Sequence, residues 1–152
     1  MAAEYRGDEF LYLVEIEEED GSGSTTKTDY RPFNQTNGSN SIEADSIDLN
    51  TKDKTGSDYS NVTESLSLEG VFTENDPAIP YIKKSIRQKK LVKITTVNTR
   101  TLDTEFGKYK LDSFEQSNSN GEFATYSLEA TLNGDIQVGT LTEVPEGAPD
   151  EA

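Results

Sequence analysis

Hydrophobic and polar positions alternate with a period of two over most of this chain, the pattern of strands with one buried face. The alternation is cleanest over 122–132, where Tyr126 and Leu128 fall on one side and Ser127 and Glu129 on the other. Strands are predicted over 10–16, 30–36, 41–50, 62–73, 91–97, 106–114, 122–132 and 135–141.

Short polar stretches predict where the chain turns between these strands. The strands 41–50 and 62–73 flank the polar stretch 51–61, which predicts a large hairpin with 51–61 as its long loop. Ile42 lies out of phase with Ile47, so we expect a bulge or bend near Asp45. Further turns are predicted at the acidic stretch 17–23, at Asn37-Gly38, at 117–121 and at Asn133-Gly134, the last as a β-hairpin.

One segment departs from the strand pattern and predicts a helix over about 77–89. Asp76 can accept hydrogen bonds from the free amides of the first turn, and Pro77 suits the first helical position. Three isoleucines follow at helical spacing and form one apolar stripe: Ile79, Ile82 and Ile86.

The elements together predict a mainly β fold, an antiparallel β-sandwich or barrel with one flanking α-helix. The 152 residues suit one domain, which we expect over 1–144. The acidic segment 145–152 is expected to be a flexible tail.

Composition narrows the function. Only 32% of the residues are hydrophobic and the mean hydropathy is −0.74, which is typical of long-stranded β proteins, of oligomers that complete their burial against neighbours, and of partly disordered chains. The seven Tyr and six Phe residues argue against full disorder. The net charge of −15 disfavours a protein that grips DNA. The absence of Cys and His excludes thiol and imidazole catalysis and Cys/His zinc sites. The N-terminus lacks a secretory pattern, and the longest apolar run, 10–14, is too short to span a membrane.

Two carboxylate motifs resemble known kinds of site. Asp53 begins an Asp-Lys-Thr-Gly run like the one around the phosphorylated aspartate of cation pumps, but the membrane helices and the nucleotide domain of a pump are missing. The acids Asp45, Asp48, Asp53 and Asp58 could suit calcium, but their spacing differs from the calcium-loop pattern, which favours a solvated hairpin. No carboxylate pair stands out as a glycosidase pair, so we predict no catalytic residue, metal or cofactor.

The positive charges cluster. Six of the 14 Lys and Arg residues lie between Lys83 and Lys93 with no acid among them, and the chain after Lys110 has acids only. The basic helix could bind anions or nucleic acid, offset nearby acids on a solvated face, or meet an acidic patch on a second copy, which we favour. The residues expected in that contact are Lys83, Lys84, Arg87, Lys89 and Lys90.

Four stretches, in this order and spacing, carry a resemblance to a known family. They are Ser46-Ile-Asp-Leu-Asn-Thr-Lys-Asp53, Glu64-Ser-Leu-Ser-Leu-Glu-Gly70, Asp76-Pro-Ala78 with its helix, and Ala124-Thr-Tyr-Ser-Leu-Glu-Ala130. Over about 10–141 the chain resembles the major tail protein, or tail tube protein, of long flexible-tailed phages of Gram-positive bacteria. It departs from the family pattern at 57–59, where the family tends to have Gly and Trp, and after Ala130.

The resemblance implies a β-sandwich with one helix that forms hexameric rings stacked into a hollow tube. Two strands of each subunit would line the lumen, and a long loop would reach the adjacent ring. From the alternation in the hairpin, the lumen candidates are Glu43, Asp45, Thr63, Ser65, Ser67 and Glu69. The inter-ring loop candidates are Thr51, Lys52, Asp53, Lys54, Thr55, Gly56, Ser57, Asp58 and Tyr59.

The same resemblance implies partners and a location. The tube would meet a tape measure protein, a tail terminator and distal tail or baseplate proteins, and DNA would pass through the lumen without specific binding. No membrane partner is expected; the protein would reside in the virion tail after assembly in the host cytoplasm. Two alternatives stay open: the tube of a contractile injection or secretion system, and a monomeric β-sandwich that binds a ligand, as adhesin modules do.

Overall fold

The computed structural model describes residues 4, 9–19, 23, 25–32, 34–73 and 76–143, apart from the side chains at 18, 19, 59 and 60. The elements are β1 (Phe10–Glu19), β2 (Thr25–Tyr30), β3 (Gln35–Asn50), β4 (Thr55–Val71), α1 (Ala78–Arg87), β5 (Val92–Asn98), β6 (Asp103–Ser117), β7 (Thr125–Leu132) and β8 (Gln137–Thr140). The predicted mainly β fold with one helix is confirmed.

All eight strands belong to one antiparallel sheet in the order β2-β1-β5-β6-β7-β4-β3. The short β8 pairs with β6 beyond the end of β7, so β7 and β8 lie in line along the same edge of β6. Within the described residues no ladder joins the two outermost strands, β2 and β3, so the sheet is open. A single open sheet therefore takes the place of the two packed layers of a sandwich.

The sheet curls until β3 lies next to β1, and the side chain of Gln35 links the two strands. The Gln35 amide donates to the Tyr12 carbonyl at 2.8 Å and accepts from the Tyr12 N–H at 3.0 Å. β2 pairs with β1 only from Val14 onward, so this stretch of β1 has no strand partner on that side. The Gln35 amide supplies the hydrogen bonds that a neighbouring strand would otherwise make.

The helix covers the concave face of the sheet and closes the core. Ile79 and Ile82 are buried against Leu66, Leu68 and other apolar side chains of the sheet, and Ile86 is half-buried, as the predicted stripe requires. As predicted, an Asp76 carboxylate oxygen accepts an amide of the first turn, the Ala78 N–H at 3.0 Å. The helix begins at Ala78, so Pro77 is its N-cap residue and not its first helical residue.

The predicted hairpin of β3 and β4 is present, and its turn is shorter than expected. The turn occupies only 51–54, so 55–61, predicted as loop, is strand. The Thr51 hydroxyl tightens the turn by accepting the Lys54 N–H at 3.1 Å, while the Thr51 N–H donates to the Lys54 carbonyl at 2.9 Å. The predicted bulge near Asp45 is confirmed by a register shift between Ala44 and Ser46.

Two Asn-Gly turn predictions are wrong. Asn37-Gly38 lies inside β3, where Gly38 lets the Tyr12 ring approach, since a Cβ there would lie 2.1 Å from Tyr12 Cε2. Asn133-Gly134 does not make a hairpin, because the Asn133 N–H donates to the Lys108 carbonyl at 2.8 Å and the chain continues along β6. The stretch 17–23 lies partly, and the tail 145–152 wholly, outside the described residues.

Replacing Gln35 by Ala should destabilise the fold by about 2 kcal/mol, because it leaves the Tyr12 N–H and carbonyl without partners in a partly buried place. Urea denaturation followed by circular dichroism measures the free energy of unfolding. The matched change Gln137→Ala, at an exposed position of β8, should leave it almost unchanged. Equal effects of the two changes would contradict the bridging role of Gln35.

Candidate functional site

The convex face of the sheet carries a continuous polar surface across β3, β4, β7 and β6. The strand registers align three rows of four residues on it. We call these twelve positions the polar face: Ser41, Ser65, Thr131 and Lys110; Ser39, Ser67, Glu129 and Ser113; Asn37, Glu69, Ser127 and Glu115. None has an apolar side chain, three are acids and one is a lysine.

The rows between them point the opposite way and are apolar where they meet the helix. Leu66 pairs with Ala130, and Leu68 with Leu128, and all four are buried. The Tyr126 ring lies over Gly70, where a Cβ would come 2.5 Å from its hydroxyl. Burial raises the pKa of Tyr126, with the nearby Asp76 charge as a smaller cause, so the core side of the sheet holds its tyrosine un-ionised. The two faces of these strands therefore differ completely in chemistry.

The six lumen candidates divide into two groups. Ser65, Ser67 and Glu69 lie on the polar face, with half-buried or exposed side chains. Glu43, Asp45 and Thr63 are exposed and lie further along the hairpin, beyond the last pair of β4 with β7.

The sequence does not single out the other polar-face positions. The alternation in β7 is visible in the sequence, but the order of the strands in the sheet is not. Alternation shows which residues of one strand share a side, whereas only the strand pairing shows that β6, β7 and β3 continue the same surface.

The lysines on this side of the sheet are each paired with a carboxylate of the same chain. Lys93 lies 3.2 Å from Glu15, and Lys110 lies 3.1 Å from Asp112. Glu17 lies between two more lysines, 3.7 Å from Lys27 and 3.8 Å from Lys108. The Lys93 ammonium also lies 4.5 Å from the centre of the Phe106 ring.

Asp112 has the most constrained of these carboxylates. It is the extra residue of a bulge in β6, between Leu111 and Ser113, and it accepts a hydrogen bond from the Thr131 hydroxyl as well as from Lys110. Burial acts to raise the pKa of Asp112, but the hydrogen bonds from Thr131 and Lys110 and the Lys110 charge outweigh it and lower the pKa. The carboxylate is therefore ionised at neutral pH beside its lysine.

The basic residues of the helix are arranged differently. Lys84, Arg87, Lys89 and Lys90 are exposed and make no ion pair with any described residue. Lys83, the fifth predicted contact residue, instead lies over the Phe72 and Phe114 rings and donates to the Gln116 side chain at 3.0 Å.

Residues 42–64 form a two-stranded ribbon that we call the arm, because β3 and β4 pair only with each other there. At roughly 3.3 Å per residue, the β4 segment 55–64 extends about 30 Å. The arm exposes large apolar side chains, 67% of Ile42 and 63% of Val62 among them, and Ile47 and Leu49 as well. Eight of the nine inter-ring candidates lie at its outer end with exposed side chains, and the ninth is Tyr59, of whose side chain nothing is described.

Neither a metal site nor a membrane span is found in the described part of the chain. No group of three or more acids among those residues could hold a metal ion. No helix among them is long and apolar enough to cross a membrane.

The sequence matches the family described as phage tail tube protein over residues 4–138. The chain belongs to that family. It is a family of structural tail proteins and not of enzymes, so the match supports a tube-forming component of a virion tail. A search of curated proteins found no match.

Solved tubes share the fold. The chain is similar to a protein in the tail of an empty gene transfer agent particle refined with C6 symmetry, with a TM-score of 0.71 and 15% identity over 90% of this chain and 100% of that one. It is similar to the SPP1 tail tube, with a TM-score of 0.63 and 19% identity over 90% of this chain and 79% of that one. It is also similar to a chain in the sheath–tube complex of an extracellular contractile injection system, with a TM-score of 0.59 and 14% identity over 87% of this chain and 88% of that one.

Asp112→Asn should lower stability at neutral pH by less than about 1 kcal/mol, since the ion pair is largely solvent-exposed. Because folding lowers the pKa of Asp112, its contribution is present above the ordinary value of 3.8 and is lost as the pH falls below it. Urea denaturation of both proteins from pH 7 to pH 2.5 should therefore show the difference vanishing at acid pH. A difference in the free energy of unfolding that does not depend on pH would contradict the role given to the ionised Asp112 carboxylate. The control is Asp135→Asn, a change of the same kind at an exposed position.

Proposed function

We propose that this chain forms hexameric rings that stack into a hollow tail tube, and that the polar face lines the channel through which DNA passes during ejection. One observation carries the proposal: the polar face spans four strands without an apolar side chain, and its only lysine is paired with a carboxylate. A solvated polar face is common on antiparallel sheets; what suits this one to a DNA channel is that its remaining charges are negative and its one lysine is paired.

The chemistry of the polar face suits passage without binding. Proteins hold DNA chiefly by placing Lys and Arg against phosphates. Glu69, Glu115 and Glu129 repel phosphates, and the serine and threonine hydroxyls around them offer only neutral groups. DNA inside such a channel would meet no unpaired cation on the polar face.

The arm supplies the contact between rings in this proposal. An isolated two-stranded ribbon is at best marginally stable in water, so the arm needs a partner surface. Its apolar side chains, Ile42 and Val62 foremost, are available for that contact. With a span of about 30 Å, the arm is long enough to reach a neighbouring subunit.

The basic helix supplies a second contact. A chain with a net charge of −15 repels its own copies unless unlike patches meet. Lys84, Arg87, Lys89 and Lys90 have no partner among the described residues, so an acidic surface of a neighbouring subunit is the partner we propose. Lys83 would support this surface from beneath, since its ammonium packs on aromatic rings.

A tube of defined length needs further proteins, and we include them in the proposal. A tape measure protein would occupy the channel during assembly, a terminator would stop growth at one end, and distal tail or baseplate proteins would begin it at the other. Assembly would take place in the host cytoplasm.

The channel assignment is tested with single cysteines, since the natural chain has none. In assembled tubes, Glu69→Cys should react with a small maleimide but not with a maleimide coupled to a gold particle wider than the channel. In unassembled subunits, Glu69→Cys should react with both reagents. Reaction of Glu69→Cys with the bulky reagent along the tube wall would place the polar face outside and contradict the proposal.

The arm is tested by replacing Ile42 and Val62 together by Ser. Both side chains are mostly exposed in the single chain, so the free energy of unfolding of the monomer should change by less than about 1 kcal/mol. Sedimentation should show that tube formation is lost or strongly reduced. Tubes formed at the wild-type rate would exclude the arm from the contact, and Val138→Ser, at another exposed apolar position, is the control.

A further inference from the structure

Lys110 is the one cation among the twelve polar-face positions. It stands beside Thr131 of β7, which in turn pairs with Ser65 of β4. Its side chain is 68% exposed, so an unpaired ammonium at this position would face whatever passes over the surface. In a ring the same charge would recur in every subunit and form a belt of phosphate-binding groups.

The backbone of β6 departs from regular pairing at the residue that neutralises this lysine. Between Leu111 and Ser113 the register shifts by one, so Asp112 has no partner of its own in β7. A bulge gives up regular ladder hydrogen bonds and can re-aim a side chain. Here the extra residue is an acid whose carboxylate lies 3.1 Å from the Lys110 ammonium and accepts the Thr131 hydroxyl.

The pairing is a pattern and not a single case. The three other lysines on this side of the sheet, Lys27, Lys93 and Lys108, also have a carboxylate within 4 Å. The exposed cations without an ion pair among the described residues lie elsewhere, on the helix and its C-terminal end and at the tip of the arm. Positive charge is thus neutralised on the polar-face side of the sheet and left available on the helix and at the tip of the arm.

We infer that Asp112, held by Thr131, masks the Lys110 charge and thereby keeps the polar face from binding nucleic-acid phosphates. The inference rests on the proposed function, because it assumes that DNA passes over this face. It assigns a specific task to the β6 bulge: to place one carboxylate beside the only lysine of the polar face.

The test compares DNA binding by two variants that lose the same charge. Asp112→Asn removes the mask with little change of shape, and Glu122→Gln removes an acid from the exposed turn before β7. A short fluorescent duplex is titrated at low salt with each protein in the assembly state in which it is isolated, and anisotropy is measured. Asp112→Asn should bind several-fold more tightly than wild type and Glu122→Gln, and added salt should abolish the gain.

A second variant shows whether Lys110 is the group set free. Adding Lys110→Gln to Asp112→Asn should return DNA binding to the wild-type level, whereas a general effect of lost negative charge would persist. The inference would be contradicted if Asp112→Asn bound DNA no more tightly than Glu122→Gln. It would also be contradicted if the tighter DNA binding persisted after Lys110→Gln was added. The Glu69→Cys labelling tests the channel assignment by itself, because it does not involve Asp112. The two proposals can therefore fail independently.

Discussion

The structure depends above all on the period-two alternation of β4, β7 and β6, which gives one sheet two unlike faces. Leu66, Leu68 and Leu128 share one buried cluster with the helix. In a chain with few apolar residues, the burial of this cluster is the main contribution to the stability of the fold. The same alternation obliges their neighbours to point outward, and there the sequence has only hydroxyls, amides, acids and one paired lysine. A single pattern thus stabilises the subunit and shapes its polar face.

Assembly follows from what the core leaves uncovered. The arm lies beyond the last pair of β4 with β7 and outside the buried core cluster, and its Ile42 and Val62 remain exposed. In the assembly that we propose, a neighbouring subunit covers this surface, in keeping with the match to the tail tube family. The positive charges fit the same proposal, since the lysines on the side of the polar face are paired and those of the helix are available for a neighbouring subunit.

Local signals predicted local features well. Asp76 and the isoleucine stripe predicted the helix to within two residues at each end, and the phase change at Ile47 predicted the register shift. The failures were tertiary. The Asn37-Gly38 pair predicts a turn, although Gly38 lies in a strand and makes room for the Tyr12 ring. The polar stretch 55–61 predicts a loop, although it continues β4. The polar-face positions on β6 and β7 depend on strand order, which alternation within one strand does not contain.

The most direct test of the channel assignment is a cryo-electron microscopy reconstruction of the assembled protein at side-chain resolution. We expect an open channel whose wall contains Ser67, Glu69 and Glu129, with the Lys110–Asp112 pair intact and the helix on the outer side. A channel wall formed by the helix, or a polar face buried between subunits or turned to the outside, would contradict it.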